Sequence, residues 1–406
     1  MMKRCFVLLL VALAMLCFTG CGKDKTEVLS SYNYLTDCQI VKTSTQAVYY
    51  NIAKCENGYY SYAGKYLYFT DSGSMETIAL CSKPNCLHDT DTCNAYIGAT
   101  YNIAYNDGYI YYSQDGDIEH ELLGTQFYRV KADGTEKEKL RYFDYRVMDW
   151  ITHRGYLYYI SVKYDVSYYE ETNESNKADA YIYRLSLDDM NAKPEQVYFE
   201  EEFKEGVSLS GLVAFGDNLY FLSSGQYGES LDTFDMKGVK VNTKDFVSER
   251  TALDDGRLLA YPTLLGDRLV FQSEKNTEGK IEYYATDFNG NSPELILTVD
   301  EFIRAFSDGS YLYTDNELAF SIANPDYDKI EEVRRFKVYD KDMNLIDEVY
   351  FNGASACRWC FVPVDDEYFL FAGKKSNGDV TVSKLDKSQL GTIHGLWELE
   401  ETYNQH

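Results

Sequence analysis

The sequence predicts an all-β chain folded as a seven-bladed β-propeller, and three observations carry that expectation. The first is composition: Tyr occurs 39 times and Phe 21 times in 406 residues, with only 6 Pro to interrupt strands. Such residues suit pleated, half-buried surfaces. The second is segmentation, because apolar runs are short, turn residues follow almost every one, and no long stretch of helical spacing competes. The third is a phrase that recurs seven times.

That phrase is a turn carrying Gly, Asp or Asn followed by an aromatic strand. It occurs at residues 64–69 (GKYLYF), 107–112 (DGYIYY), 154–159 (RGYLYY), 216–221 (GDNLYF), 266–271 (GDRLVF), 308–313 (DGSYLY) and 366–371 (DEYFLF). Its apolar anchors fall at 67, 110, 157, 219, 269, 312 and 369, in steps of 43 to 62 residues. Such steps suit one four-stranded blade each. A second strand ending in an Asp-containing turn follows at 127–134, 182–188, 283–290 and 336–340, so each pair reads as a hairpin within a blade. A lone blade leaves both sheet faces uncovered, whereas a closed ring packs every sheet between two neighbours. Closure is expected by pairing residues 48–52 with residues 395–399. Eight blades are the second choice, if residues 33–55 form their own sheet, and an array of β-sandwiches is the competing architecture.

The repeated Asp-Gly-Tyr-Ile-Tyr-Tyr and Phe-Tyr-Arg-Val-Lys-Ala-Asp-Gly phrases give residues 45–395 a resemblance to bacterial lipoproteins of Firmicutes type. Their propellers are of the TolB-like and low-density-lipoprotein-receptor-related kind. The receptor-type Tyr-Trp-Thr-Asp phrase is absent, so the resemblance implies the fold rather than a receptor's ligand. Propellers of this type serve as binding platforms, scaffolds and occasionally enzymes.

At the N-terminus, Lys3 and Arg4 precede an apolar run over residues 6–18 that is short for a bilayer span. Phe18-Thr19-Gly20-Cys21 then resembles a bacterial lipobox. Three segments follow: a lipoprotein signal peptide over residues 1–20, a polar tether over 21–32 and the propeller over 33–406. Cys21 is the expected lipidation site, its acyl chains (palmitate among them) holding a monomer to the outer face of the cytoplasmic membrane. An uncleaved transmembrane anchor and ordinary cleavage without lipidation are the alternatives.

The formal charge is −26, with 65 acidic residues spread along the chain against 39 basic ones. Phosphate binding needs clustered Lys and Arg, so nucleic acid is excluded as a partner.

The most chemically loaded stretch is residues 81–93, where Cys81, Cys86, His88 and Cys93 stand in C-x4-C-x-H-x4-C spacing. Soft thiolates and one imidazole suit a tetrahedral structural zinc ion. It also resembles a Cys-Pro-Cys-His insert of lipoproteins from anaerobic Firmicutes. A disulfide staple is the equal alternative outside the cytoplasm. With three cysteines on a metal, two disulfides become available, Cys38 with Cys55 and Cys357 with Cys360. Cys357 and Cys360 have C-x-x-C spacing in a strand-like context, without the helix N-terminus that activates redox thiols. In a closed ring this pair is expected near residues 81–93.

No G-x-S-x-G elbow, H-E-x-x-H helix or phosphate-binding loop occurs. Asp340-Lys341-Asp342 begins like a calcium loop, but Leu345 replaces the required glycine and a hairpin turn is expected. Trp150, Tyr164, Tyr168, Tyr169 and Trp359 have the ring faces to stack on sugars or peptides, although strand aromatics are usually core. The acidic insert around residues 168–176 is expected to border a ligand surface. The reading is a membrane-anchored, non-catalytic platform for a protein, peptide or glycan, with no catalytic residue assigned. Two alternatives stand beside it: a hydrolase or lyase acting on polysaccharide or peptide at the channel mouth, and an envelope assembly component resembling TolB-type propellers.

Overall fold

Six of the seven aromatic phrases enter a sheet as its second strand, because the preceding Gly, Asp or Asn turn joins each to the strand before; the first, at 64–69, enters blade 1 as its third strand. In blade 1 of the computed structural model the strands are Ile52–Cys55, Gly58–Ala63, Tyr66–Asp71 and Thr77–Ala79. Blade 2 comprises Ile103–Asn106, Tyr109–Asp115, Thr125–Lys131 and Glu138–Phe143, and blade 3 Val147–His153, Tyr156–Tyr164, Ala178–Ser186 and Glu195–Phe199. Blade 4 has Glu205–Phe215, Asn218–Gln226, Phe234–Asn242 and Ser248–Ala252, and blade 5 Ala260–Leu265, Arg268–Lys275, Ile281–Thr286 and Glu294–Val299. Arg304–Ser307, Leu312–Asp315, Val333–Tyr339 and Leu345–Asn352 make blade 6, and Cys360–Val362, Tyr368–Lys374 and Val380–Asp386 form a terminal sheet. The structure describes residues 32–39, 52–100, 102–115, 124–164, 178–201, 205–226, 234–252, 260–275, 278–288, 293–299, 304–315, 333–352, 360–362, 367–374, 380–391 and 395–397. Among these no helix is long and apolar enough to cross a membrane; residues 1–31, with the expected signal peptide and Cys21, lie outside them.

All blades are up-and-down antiparallel meanders. First strands of consecutive blades lie side by side, from blade 1 through blade 6, which makes them the inner wall of a ring. The burial pattern explains why no blade stands alone. Five apolar clusters each straddle two consecutive blades, such as Ile151, Tyr158 and Ile182 of blade 3 packing with Leu212, Leu219 and Phe221 of blade 4. The repeat anchors Leu67, Ile110, Leu157, Leu219, Leu269, Leu312 and Phe369 are all 0–1% exposed. At roughly 25 cal/mol per Å² of apolar surface, these interfaces supply the cohesion that isolated four-stranded sheets lack.

The blade count corrects the expectation of seven, and of eight as second choice: among the described residues there are six complete blades. The seventh phrase builds only the three-stranded terminal sheet. After Val380–Asp386 the chain turns through a short 3-10 helix, Lys387–Gln389, and Gly395–Trp397 then pairs in parallel with Leu345–Asn352 as a fifth strand of blade 6. The expected closure involves residues 48–51 and 398–399, which lie outside the described residues. Gly395–Trp397 has its partners at Val349, Tyr350 and Phe351, and Ile52–Cys55 pairs with Gly58–Ala63. The terminal sheet touches blade 6 through an edge-to-face Tyr313–Phe369 contact at 4.9 Å and blade 1 through Lys384 Nζ, which donates to the Ser72 carbonyl at 2.8 Å.

Residues 33–39 form a strap across one end of the ring. Because inner strands run in the same sense, the turns from first to second strands gather at that end. The Lys54 amide donates to Gln39 Oε1 (2.6 Å) in blade 1, and Asn106 Nδ2 donates to the Thr36 carbonyl (3.3 Å) in blade 2. In blade 3 the Arg154 amide donates to the same carbonyl at 2.7 Å, and its side chain bridges Asp37 (2.9 Å) to Asp217 of blade 4 (2.6 Å). His153, 1% exposed, accepts the Cys38 amide at Nδ1 (3.1 Å) and lies with Nε2 2.8 Å from the Gly216 carbonyl. Both ring nitrogens are thereby satisfied by a neutral imidazole carrying its proton on Nε2.

Candidate metal centre

The connection from blade 1 to blade 2 carries Cys81, Cys86, His88 and Cys93. Their ligating atoms all lie within 4.8 Å of one another, so the group could hold a metal ion. Local backbone chemistry creates the convergence. The Leu80 amide donates to the Leu67 carbonyl (2.9 Å), extending the blade edge, and the Cys81 amide then turns back on the Ala79 carbonyl (2.7 Å). Asn85 and His88 take left-handed φ values of 58° and 55°, bending the chain back. The Cys93 amide closes a turn on the Thr90 carbonyl at 3.1 Å. Beyond it, residues 95–97 run along the third strand of blade 1: Leu67 donates to the Ala95 carbonyl at 2.8 Å, and Ile97 donates to the Lys65 carbonyl at 2.9 Å. Tyr66 and Tyr96 meet edge to face at 5.4 Å.

Cys93 is 2% exposed and belongs to the core between blades 1 and 2, whereas Cys81, Cys86 and His88 are half-buried. His88 Nδ1 lies 3.3 Å from Cys93 Sγ. Burial raises the Cys81 thiol, but amides of Lys83 and Asn94, together with the Cys93 and Cys86 thiols, outweigh it and leave the thiol below its ordinary range. Burial, and then hydrogen bonding with Cys81 and Cys86, pushes Cys93 up to about 11. One sulfur thus favours the thiolate form that a metal needs. Lys83 donates to the Thr92 carbonyl, and Lys137 of blade 2 donates to the Tyr96 carbonyl, so two cations flank the group. A small polar cleft of about 210 Å³, lined by residues including Asp91, Cys93, Glu136 and Lys137, opens beside it.

Cys81, Cys86 and Cys93 are free thiols. Cys38 and Cys55 are both buried and lie in different clusters, Cys38 between blades 3 and 4 and Cys55 between blades 1 and 2. Strap contacts to His153 hold Cys38 there. Cys357, Trp359 and residues 165–177, with Tyr168 and Tyr169, lie outside the described residues, and Tyr164 and Cys360 are described only in their backbone. Trp150 is core, 3% exposed, with its indole donating to Ser113 Oγ at 2.8 Å. Asp340 caps a hairpin turn by accepting the Asp342 and Asn344 amides at 2.9 and 2.8 Å.

Sequence reasoning missed the buried carboxylates. Asp37, Glu200 and Asp347 are 2–3% exposed. Glu200 of blade 3 accepts from Tyr198 and from Ser223 of blade 4, at 2.6 and 2.5 Å, and Asp347 accepts the Gly391 amide at 2.8 Å. Each fastens neighbouring parts of the ring, and partners tens of residues away leave no local spacing signal.

Sequence comparison finds no matching protein family and no matching characterised protein. Among solved structures, the chain is similar to an oligogalacturonate lyase in complex with manganese (13% identity, TM-score 0.47, 82% of this chain and 86% of the other). The β-propeller domain of the Trilobed protease from Pyrococcus furiosus gives 10% identity and a TM-score of 0.45 over 87% and 95% of the chains. TolB from Acinetobacter baumannii gives 10% identity and a TM-score of 0.35 over 84% and 79%. No functional residue is carried over from any of them.

Proposed function

We propose that this protein is a lipid-anchored, extracytoplasmic β-propeller that binds a protein, peptide or glycan as a monomeric, non-catalytic platform. One observation supports the reading, the unequal ends of the ring. First-to-second strand turns span two residues in blades 1 to 5 (56–57, 107–108, 154–155, 216–217 and 266–267), and the strap lies across them. Connections from second to third strands, which leave by the other end, cover residues 116–124, 165–177, 227–233 and 316–332 in blades 2, 3, 4 and 6, and the shorter 64–65 and 276–280 in blades 1 and 5. Long connections gathered at one end of a rigid scaffold are where recognition concentrates. The strap follows Cys21 by twelve residues, a reach of at most about 40 Å, so an acylated Cys21 tethers the short-turn end toward the membrane and leaves the long-connection end outward.

The non-catalytic part of the reading draws on the carboxylates, since Asp37, Glu200 and Asp347 are engaged in fastening the ring. Palmitate-analogue labelling in cells should mark the wild-type chain and not Cys21→Ser. A glycan and peptide panel should yield intact ligand from the protein, and deletion of residues 168–176 should weaken binding without unfolding. Product accumulation, abolished by substitutions at the long-connection end, would establish the hydrolase or lyase reading instead.

A further inference from the structure

We infer that Cys81, Cys86, His88 and Cys93 bind one zinc ion that staples blade 1 to blade 2, independently of what the propeller recognises. A tetrahedral zinc centre with sulfur and nitrogen ligands has donor–donor edges of about 3.5–3.8 Å. The four donors already fall within 4.8 Å of one another, and the His88 Nδ1 to Cys93 Sγ distance is 3.3 Å, so a small contraction completes the polyhedron. Four protein ligands leave no open position for water or substrate, the arrangement of structural rather than catalytic zinc. Three soft sulfurs and one imidazole disfavour magnesium and calcium, which take oxygen donors.

Two further features fit. Zinc with three thiolates and a neutral imidazole carries a net charge of −1, and Lys83 and Lys137 stand beside the cluster to offset it. The left-handed backbone at Asn85 and His88 is conformationally costly for residues with a Cβ, and metal ligation supplies a reason to hold it. A disulfide between any two of the thiols leaves the third sulfur and the imidazole without a role. On binding, thiol protons of the cysteines pass to solvent, and no electron is transferred.

The staple has a definite mechanical position. Residues 95–97 lie along blade 1 through the Leu67 and Ile97 amides, while Lys137 and Gly134 of blade 2 pack on Tyr96 and Leu80. Fixing Cys93 to Cys81 therefore fixes both sides of the first interface. Full-length protein isolated without added metal should contain one zinc per chain by elemental analysis. Cobalt substitution should give the visible absorption of tetrahedral, thiolate-ligated cobalt. His88→Cys should keep the ion and change that spectrum, Cys86→Ser should lose it, and Cys38→Ser should leave both unchanged. Should Cys86→Ser fail to fold, titrating the wild-type chain with a mercurial must release zinc in step with modification of three thiols. Chelation should speed hydrogen exchange at Leu67 and Ile97 and not in blade 4. Iron in place of zinc, substoichiometric metal with a disulfide mapped inside residues 81–93, or zinc retained by Cys86→Ser would each overturn the assignment.

Discussion

Replacing Lys387 with Met tests how the terminal sheet is joined to blade 6. Lys387 Nζ lies 2.6 Å from Asp308 Oδ2, and the two side chains are only 7% and 6% exposed. The same carboxylate accepts the Tyr313 hydroxyl at 2.5 Å and the Ser310 and Tyr311 amides at 2.8 Å each. Lys387→Met keeps the aliphatic stem but leaves a buried carboxylate without its cation, a change that typically costs about 3–5 kcal/mol. Three surviving hydrogen bonds place the expected loss near the lower figure, about 3 kcal/mol, or roughly 150-fold in the folded-to-unfolded ratio. Urea unfolding followed by tryptophan fluorescence measures it. The double variant Asp308→Asn with Lys387→Met should recover much of the loss, since the stranded charge is removed with its partner. A single-variant loss below about 1 kcal/mol, the value of an exposed pair, refutes the reasoning.

Gly134 takes φ +78° and a Cβ there would stand 2.7 Å from the Leu80 carbonyl oxygen, whereas Gly108 (φ +81°) has nothing within 4 Å. Gly134→Ala should therefore cost about 2 kcal/mol more than Gly108→Ala in thermal unfolding, and equal costs would remove the contact with Leu80 from the account. Burial holds the His153 imidazole below its usual range, opposed by the Gly216 carbonyl and Asp37. Asp37, Arg154 and Asp217 are the charged groups facing it. The sign is that of a depressed pKa: the unfolded chain takes up the proton more readily, so this contribution is complete above about pH 6.5 and is lost as pH falls below it. Hydrogen exchange at residues 33–39, corrected for intrinsic rates, should quicken between pH 7 and 5 and be flatter in His153→Gln; a wild-type strap indifferent to pH rejects the coupling. Chelation should expose Cys81, Cys86 and Cys93 to thiol reagents while Cys38 and Cys55, 8% and 5% exposed, stay slow, and early labelling of Cys38 would contradict its place in the core.

Much of the architecture was legible because the repeat is a burial pattern. Ile110, Leu157, Leu219, Leu269, Leu312 and Phe369 occupy equivalent second-strand positions and Leu67 lies on the third strand of blade 1, all of them buried, so one demand for burial printed one phrase seven times. The Cys81–Cys93 cluster was legible for a different reason: its ligands lie within one connection, where spacing is a geometric constraint. What fastens the blades together was not. Asp37 meets Arg154 across 117 residues and Lys384 meets Ser72 across 312, separations that chain topology sets and no local pattern encodes. The separate clusters that Cys38 and Cys55 fill were hidden in the same way, since counting thiols says nothing about which interface each one occupies.

The difference between seven phrases and six complete blades follows from what a phrase specifies. Six of them encode a second strand and its hairpin, and the first a third strand; Phe369 is as fully buried as Leu67. An outer fourth strand packs on fewer neighbours, so its presence depends on where the remaining chain finds a better partner. Here Asp386 caps the turn over Lys387–Gln389 through the Ser388 amide, and the Asp308 carboxylate holds Lys387 against blade 6. Further on, Gly395–Trp397 adds in parallel to Leu345–Asn352. The same ion pair that joins the terminal sheet to blade 6 thus stands eight residues before the last strand. Lys387→Met is accordingly expected to loosen Gly395–Trp397 as well, and amide exchange at Leu396 should rise together with exchange in Val380–Asp386; a rise in one without the other would separate the two roles.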